Sequence, residues 1–559
     1  MAAIPTLGAA CDSSETDGQD APSSGGSGGA GGSGGSGAGT DGGGGAGAGD
    51  MGGGGSGGGE PVPVHVCSKE YPRIDLKADC GAAGDGMTND TPALAKAVEI
   101  IQKAGGGELT IPPGIYIVGD QLENEPGGTA AYYEPIPMFK VHGLACLKIS
   151  GYGATLRIKD GLRYGGFDPD SGLPGDFSGG PENAAHVGRI IEISESENVL
   201  IEGIELDGNC EKLELGGRWG DVDRQTAAAG IWINMCSEVT IRDVHTHHHA
   251  LDGVTVLHLD GPAKTAKPHY LERVVSEYNG RQAISWIGGN GLYCTDCKFN
   301  HTGRAMNGGE PLMSAPRAGL DIEPNAGTDQ QSRDGRFTRC EFVDNAGAGV
   351  LCAVGDGGYS TFDDCTIWGT TAYSMWLRQP GLKFVNCRIH GTAVHASDGS
   401  SEDDPNPNPD LATAFEDCLF EDVEWTDGTV FRNNNLYTVS SGAEGASFTR
   451  CTFKTHEVRS VYMDNEANAE LFDSCTFEHG HAGLSNGTYH AYFRGSRIKS
   501  CHFTETAAVS NGASTYAISV ASVTVEEADV PTHVDGPKVK WNSASATGTT
   551  GDIDPGTYD

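Results

Sequence analysis

A short motif, Cys-x-Phe or Cys-x-Ile, occurs eight times in the second half of the chain and limits the fold more than any other feature. Residues two positions apart in a β-strand point to the same side, so each cysteine would face the same way as its Phe or Ile. A free cysteine also behaves as a small, easily buried hydrophobe. We therefore predict a core ladder formed by Cys297, Cys340, Cys365, Cys387, Cys418, Cys451, Cys475 and Cys501.

The ladder cysteines follow one another at intervals of 22 to 43 residues, which indicates a repeating coil with insertions of varied length. Within each unit, segments such as "FTRCEF" and "AGVLCAV" are typical of short strands separated by turns and lack the period of helical repeats. This pattern predicts an all-β parallel solenoid. In the same register, Val274, Val244 and Ile204 take the ladder position in the upstream coils.

The chain has 16 cysteines, a number that in an exported protein can form a disulfide framework. Stacked strands lie about 4.8 Å apart, and this separation permits bridging between neighbouring ladder cysteines. The shared register with aromatic residues favours core packing instead, so we expect the ladder thiols to be mostly reduced. A single "CTDC" at Cys294 and Cys297 is not the paired set of a zinc site, and no metal site is assigned.

The segment before Glu60 differs in composition from the rest of the chain. Small residues precede Cys11 in "MAAIPTLGAACDSS", which resembles a bacterial lipoprotein cleavage site without its basic region. We interpret residues 1–22 as a signal and lipid-anchor region, with an accidental match as the alternative, and residues 23–60, mostly Gly, Ser and Ala, as a flexible linker. Residues 61–559 are then expected to form one folded domain, exported to the outer cell surface or the medium.

The formal net charge of −39 argues against nucleic acid as a partner, because phosphates require clustered Lys and Arg. It also disfavours a polyanionic ligand unless cations or a local basic patch intervene. The simplest interpretation is an acidic surface that keeps the protein soluble. We expect a monomer without a nucleic-acid partner.

A solenoid needs its open ends covered. Thr91 followed by Pro92 is predicted to be the N-cap and first residue of a helix, with Leu94, Val98 and Ile101 along one face. The glycines of "AGGGE" would end this helix. We predict that the helix caps the first coil.

The segment "DLKADCGAAGDGMTNDTPALAKAVEIIQKAGGGELTIPPGIYIV" resembles the opening of the pectate lyase superfamily, in its rhamnogalacturonase and epimerase-like branch. Cys80 stands where an aromatic residue is more usual. The resemblance implies a right-handed parallel β-helix with a capping segment at 74–118, coils over about 140–506 and a C-terminal cap or tail at 507–559. It implies a carbohydrate substrate but leaves the chemistry open, because hydrolases, lyases, epimerases and phage tailspikes share this helix.

In many such helices the sugar lies across one sheet, so outward residues of the strand after each ladder position were compared. Asp321 and Glu323 in "GLDIEPN" point outward on one strand, where Thr255 and Ser285 take the place of Asp321 in earlier coils. Alternate residues lie about 6.6 Å apart along a strand, near the carboxyl separation of inverting glycosidases. The longest insertion, 299–318, leads into this strand, as expected of a loop that serves a site. We predict a catalytic pair, with calcium binding or a solvated strand as the alternatives.

Other candidates surround this pair. The segment "HTHHHALDG" places His248 and Asp252 in an earlier coil, near Arg281 of the next, as groups for acid–base chemistry, metal binding or a polar turn. The predicted substrate-binding residues are Arg317, Gln282, Trp376, Arg378, Glu310 and Tyr462.

The preferred function is glycoside hydrolysis of a polysaccharide by the carboxylate pair, which requires no cofactor. The first alternative is a lyase or epimerase on uronate polymers, with Arg281, Arg317 or a histidine as the base and Ca²⁺ held by carboxylates. The second is a surface adhesin or carbohydrate-binding solenoid without catalysis.

Overall fold

The structure is a computed structural model in which residues 62–258, 268–325, 330–369, 374–391, 394–400, 406–423, 437–440, 445–455, 459–464, 471–479, 491–494, 497–499, 502–505, 518–521, 524–526, 539–542 and 545–547 are described. The predicted lipid anchor at Cys11, the linker 23–60 and the ladder residue Cys501 lie outside the described residues. No helix among the described residues is long and apolar enough to span a membrane.

The described chain winds through three β-sheet faces, and nearly all of their strands pair in parallel with the next coil. A 29-stranded sheet contains the first two faces, and a 14-stranded sheet forms the third. Each complete coil contributes a strand to each face in turn. The predicted all-β parallel solenoid is confirmed, and its strands extend from Arg73 to Thr547, beyond the predicted coils.

The first face contains Arg73–Asp75, Gly107–Thr110, Leu147–Ile158, Glu197–Asp207, Ser237–Arg242, His269–Glu272, Gly289–Thr295, Gln331–Thr338, Asp356–Gly357, Thr361–Asp363, Lys383–Val385, Ala414–Glu416, Ser447–Thr449, Leu471–Asp473, Arg497–Lys499, Thr524–Glu526 and Ser545–Thr547. The second face contains Asp85–Asn89, Gly114–Val118, the second halves of Leu147–Ile158 and Glu197–Asp207, then His245–His247, Val275–Glu277, Lys298–Asn300, Glu341–Asn345, Thr366–Gly369, Arg388–His390, Leu419–Glu421, Thr452–Thr455, Thr476–His479 and His502–Glu505. The third face contains Phe139–His142, Gly188–Ser194, Ala228–Asn234, Asp252–Leu257, Gln282–Ile287, Ala318–Ile322, Val350–Cys352, Met375–Leu377, Val394–His395, Tyr437–Ser440, Arg459–Asp464, Ala491–Arg494, Ile518–Ala521 and Val539–Asn542.

The cysteine ladder lies at the corner between the first and second faces. The residue before each described ladder cysteine is left-handed, as at Arg339 (φ 51°) and Asp364 (φ 54°), and this single residue turns the chain from one face to the next. The ladder cysteines from Cys297 to Cys475 are free and buried, as predicted. Each thiol faces a carbonyl of the preceding coil, for example Cys365 Sγ at 3.3 Å from the oxygen of Phe337.

Stacked phenylalanines beside the ladder fill the core. Phe362 lies between Phe337 and Phe384, with ring centroids 4.6 Å from each and planes 10° apart. Offset stacking of this kind adds to the free energy gained by burying the rings. The predicted upstream ladder residues Ile204, Val244 and Val274 are also fully buried.

An α-helix spans Thr91–Ala104 near the start of the described chain, with Leu94, Ala97 and Ile101 buried in the core. Its N-cap is Asp90, so the prediction of Thr91 as the cap is wrong. The Asp90 carboxylate instead accepts hydrogen bonds from the Ala83 and Gly84 amides, at 2.7 and 3.0 Å. Gly105 ends the helix in the left-handed conformation (φ 70°). That the helix caps the solenoid stays a prediction.

Insertions precede several third-face strands. A five-stranded sheet is formed by Gln121–Glu123, Tyr133–Pro135, Arg163–Gly166, Ala184–Ala185 and Glu214–Leu215, and 3₁₀ turns span Pro181–Asn183 and Cys210–Lys212. A hairpin pairs Met306–Asn307 with Glu310–Pro311. These insertions therefore lie at the edge where third-face strands begin.

One disulfide joins Cys67 to Cys146 in the described chain, closing a sequence separation of 79 residues. It lies outside the ladder, and the sequence analysis did not predict it because neither cysteine belongs to the repeat.

Candidate functional site

Charged and polar side chains gather on three consecutive strands of the third face and beside their ends. The strands Asp252–Leu257, Gln282–Ile287 and Ala318–Ile322 are in parallel register, with Thr255 opposite Ser285 and Ser285 opposite Asp321. This is the register predicted from the ladder, and it brings residues distant in sequence onto adjacent strands. We call Asp252, Arg281, Gln282, Asp321 and Glu323 the carboxylate cluster.

Arg281 holds the carboxylate cluster together. Its Nε and Nη2 donate to the two oxygens of Asp252, at 3.0 and 3.2 Å. Nη2 also lies 2.9 Å from Gln282 Oε1 and 3.1 Å from Glu323 Oε1. The guanidinium therefore bridges carboxylates from two different coils.

Asp321 and Glu323 differ sharply in exposure. Asp321 is 2% exposed and accepts a hydrogen bond from Gln282 Nε2, whereas the Glu323 side chain is 17% exposed and accepts one from Ser285 Oγ at 2.7 Å. The carboxyl separation expected of an inverting glycosidase stays a prediction.

The pKa values follow from burial and like charge. Burial, then the Glu323 charge, raises the pKa of Asp321 well above its ordinary value. Burial likewise raises the pKa of Asp252, although Arg281 opposes the rise. Burial alone would lower the pKa of Arg281, but Asp252 and Glu323 raise it overall, so the guanidinium stays charged. Asp321 consequently retains a proton to higher pH than an ordinary aspartate.

The contacts of Arg281 are unfavourable to calcium binding in the carboxylate cluster. The guanidinium occupies the position between Asp252 and Glu323, where it neutralises both carboxylates. A cation-binding carboxylate cage needs those same oxygens free. The donor arrangement of this cluster does not fit Ca²⁺.

The long insertion 299–318 contacts earlier coils. Asn307 Nδ2 donates to the carbonyls of Cys210 and Leu213, at 2.8 and 2.9 Å. Arg317 Nη2 lies 3.7 Å from Asp223, and Glu310 is exposed on the hairpin. The structure therefore directs Arg317, a predicted substrate-binding residue, to Asp223 rather than to the carboxylate cluster.

His248 belongs to a different group of side chains. It stacks on Tyr278 with ring centroids 5.1 Å apart, and its Nδ1 lies 2.8 Å from His247 Nδ1. Its Nε2 is 3.6 Å from Glu211. Burial, then the charge of His247, lowers the pKa of His248, so the ring is neutral near neutral pH. The structure separates His248 from the contacts that Arg281 makes with Asp252.

The aromatic candidates lie further along the third face. Trp376 is half-buried and opposes Leu351, which opposes Asp321, so it stands two coils from the cluster. Arg378 is exposed, with its guanidinium 5.2 Å from the Trp376 ring centroid. Tyr462 lies on the strand Arg459–Asp464, but its side chain is outside the described residues.

Sequence analysis missed the role of two hydroxyl groups. Ser285 donates to Glu323, and Thr255 Oγ1 lies 3.3 Å from Asp252 Oδ2. Both were placed outward in the same register as Asp321, and that shared register was the available signal. Ser285 is therefore part of the site.

Known proteins with a similar sequence pattern or structure have the β-helix fold. Residues 229–436 match the family model described as a right-handed β-helix region. A search of curated proteins finds no match. The match and the sheet topology confirm the fold that the resemblance to the pectate lyase superfamily implies.

Solved structures with a similar fold include three of different kinds. The A-module of an Azotobacter vinelandii mannuronan C-5 epimerase is 14% identical with a TM-score of 0.39, covering 86% of this chain and 99% of that chain. The N-terminal fragment of bacteriophage phi29 gene product 12 is 14% identical with a TM-score of 0.45, covering 86% and 72%. An exopolygalacturonase of Thermotoga maritima is 13% identical with a TM-score of 0.29, covering 86% and 94%.

Proposed function

We propose that this chain, a right-handed parallel β-helix protein, is a carbohydrate-active enzyme that cleaves a polysaccharide by glycoside hydrolysis. The observation that carries the proposal is the placement of buried Asp321 two residues before the partly exposed Glu323, where burial and the Glu323 charge favour a proton on Asp321. Glycoside hydrolysis begins with proton donation to the leaving oxygen, which requires a carboxyl group that keeps its proton near neutral pH.

Glu323 is the proton-transferring group in this proposal, because it is the more exposed member of the pair. It passes the proton held by Asp321 to the glycosidic oxygen. Water adds to the sugar carbon as the bond to the leaving oxygen breaks, and the proton that this water loses passes to solvent, from which Asp321 is reprotonated. Arg281 and Ser285 hold Oε1 of Glu323, at 3.1 and 2.7 Å, so that its second oxygen is left for the substrate. Asp321 acts through Glu323 and is a positioning and proton-supplying residue.

The third face offers a surface for a sugar chain. Trp376 stands two coils beyond Asp321, which corresponds to about 10 Å at the usual strand spacing. An indole face at this distance can stack on a sugar ring next to the one being cleaved. We propose that the polysaccharide runs along the third face from Glu323 towards Trp376.

The lyase and epimerase alternative needs a base that abstracts a carbon-bound proton. Arg281 is unsuited to this role, because its carboxylate partners raise its pKa. His248 is neutral but contacts His247, Tyr278 and Glu211 rather than the carboxylate cluster. These contacts favour hydrolysis over proton abstraction.

The disulfide supports a location outside the cytoplasm. Disulfides persist in oxidising compartments, and Cys67–Cys146 closes a long loop at the start of the described chain. We therefore propose export, with lipidation at Cys11 as the means of attachment.

The test is a polysaccharide panel with two readouts, new reducing ends and ultraviolet-absorbing unsaturated ends. We expect reducing ends without absorbance for at least one polymer. Glu323→Gln should lose about 10² to 10⁴-fold in turnover, the usual contribution of general acid catalysis. Asp356→Asn is the matched control, since Asp356 is a similarly shielded carboxylate that pairs with Arg333 on the first face.

Three other results of this experiment would contradict the proposed hydrolysis. Unsaturated products with full activity in Glu323→Gln would identify a lyase acting elsewhere on the solenoid. Retention of a polymer on the protein without either product would identify the adhesin. Equal losses in Glu323→Gln and Asp356→Asn would show that the effect comes from folding rather than from chemistry.

A further inference from the structure

A second group of polar side chains lies on the second face, one corner before the carboxylate cluster along the chain. Glu205 opposes His245 in parallel register, and Asp207 opposes His247. His245 and His247 are alternate residues of one strand and point to the same side, with ring centroids 4.3 Å apart. The mechanism proposed above uses none of these residues.

Glu205, His245 and His247 have the spacing of a metal site. Each offers one ligand atom, and these atoms all lie within 4.8 Å of one another. His247 Nε2 and Glu205 Oε1 are 3.1 Å apart. Zinc bonds of about 2.0 to 2.1 Å in a tetrahedron put neighbouring ligand atoms roughly 3.3 to 3.4 Å apart. Small side-chain adjustments would therefore complete the coordination.

Neighbouring groups orient two of these ligands. Thr155 Oγ1 donates to Glu205 Oε2 at 2.6 Å, which leaves Oε1 directed at His247. His247 Nδ1 lies 2.8 Å from Nδ1 of His248. When His247 donates through Nδ1, its Nε2 lone pair faces Glu205, which is the tautomer that a metal requires. Such outer contacts are a regular feature of metal-binding histidines.

We propose that Glu205, His245 and His247 bind a first-row divalent transition metal, with Zn²⁺ the best fit. Two imidazoles and one carboxylate suit zinc, whereas Ca²⁺ prefers a shell of oxygens. The side chains of His245 and Glu205 are 41% and 42% exposed, so a metal ion can reach them from solution, and Glu277 Oε1 lies 3.0 Å from His245 Nε2 as a further oxygen beside the site. Sequence analysis assigned no metal because these residues come from coils about forty positions apart.

The experiment is a calorimetric titration of the chelator-treated full chain with Zn²⁺ alone. We expect one equivalent with micromolar or tighter affinity that is lost, or at least tenfold weakened, in His245→Gln, His247→Gln and Glu205→Gln. His301→Gln is the control, because His301 stacks on Tyr278 and pairs with Asp344 outside the proposed site. Ca²⁺ in excess should leave the Zn²⁺ isotherm unchanged.

Other histidines of the chain could bind additional Zn²⁺. The comparison is therefore between the number of Zn²⁺ equivalents bound by the parent chain and the number bound by each variant. Co²⁺ gives a second readout, since a site of this kind shows intense visible bands that His247→Gln should abolish. An unchanged isotherm in the His245→Gln/His247→Gln double variant, or no binding by the parent chain, overturns the proposal. If a histidine variant fails to fold, Glu205→Gln, which preserves shape, decides between these outcomes.

Discussion

Asp321→Asn should change how the free energy of unfolding depends on pH. Asparagine keeps the shape of the side chain but cannot ionise. In the unfolded chain an aspartate ionises near pH 3.9, whereas burial and Glu323 raise the pKa of Asp321 in the folded chain. Between these two pKa values the folded protein holds one proton that the unfolded chain has lost. The stability of the parent protein should therefore fall as pH rises through this interval.

The magnitude follows from linkage. One proton of difference changes the free energy of unfolding by about 1.4 kcal/mol per pH unit. The contribution is fully present below about pH 4 and declines until the pH reaches the folded pKa of Asp321. Asp321→Asn lacks this decline, so its stability should exceed that of the parent protein by a margin that grows with pH. The variant should be more stable and less active near neutral pH.

Urea unfolding at intervals between pH 4.5 and 7.5 measures this difference directly. Asp296→Asn is the control, because the hydrogen bond from Arg339 lowers the pKa of Asp296. The stability that Asp296 contributes is lost only as pH falls through that lowered pKa, so its variant should parallel the parent protein throughout the window. Parallel curves for Asp321→Asn and the parent protein would refute the raised pKa of Asp321.

Three further outcomes are expected. Cys365→Ala should cost roughly 1 to 3 kcal/mol in urea unfolding, because it leaves a cavity in a buried ladder, and rapid labelling of the native thiol would contradict its burial. Reduction of Cys67–Cys146 should lower the free energy of unfolding by about 4 kcal/mol, the loop-closure term for 79 residues, and an unchanged melting temperature would argue against that link. Tyr278→Ala should raise the pKa of His248 towards its ordinary value, since the ring shields His248 from water; an unchanged NMR titration would show that shielding comes from elsewhere.

The solenoid could be predicted from sequence because its signal repeats. Two-residue spacing of Cys340 and Phe342 fixes which side of the strand is buried, and the recurrence of this pair fixes the register between coils. The N-cap was misplaced by one residue because Asp90 uses its carboxylate to bind the loop at Ala83 instead of the helix. That competition depends on tertiary contact and leaves no local signature.

The candidate site was predictable only in part. Register alone placed Asp321 on the face of Ser285, and both proved to be neighbours of Glu323. The burial of Asp321 and the pairing of Arg281 with Glu323 depend on side-chain directions across the coil boundary. Side-chain direction of this kind has no periodic signal, which is also why the sequence does not show that Arg317 pairs with Asp223.

The left-handed corner before each ladder residue has a consequence for how such a protein can diversify. The left-handed residue at each described corner, such as Arg339, fixes where the next strand begins. Extra residues inserted in one coil therefore do not change which side chains of the next coil point inward. The strands that carry Ser285 and Asp321 are held in register by their neighbours, whereas the insertions before third-face strands can change in length without moving them. In the function proposed above, loops could therefore be exchanged between coils while the proton-transferring groups stay in place.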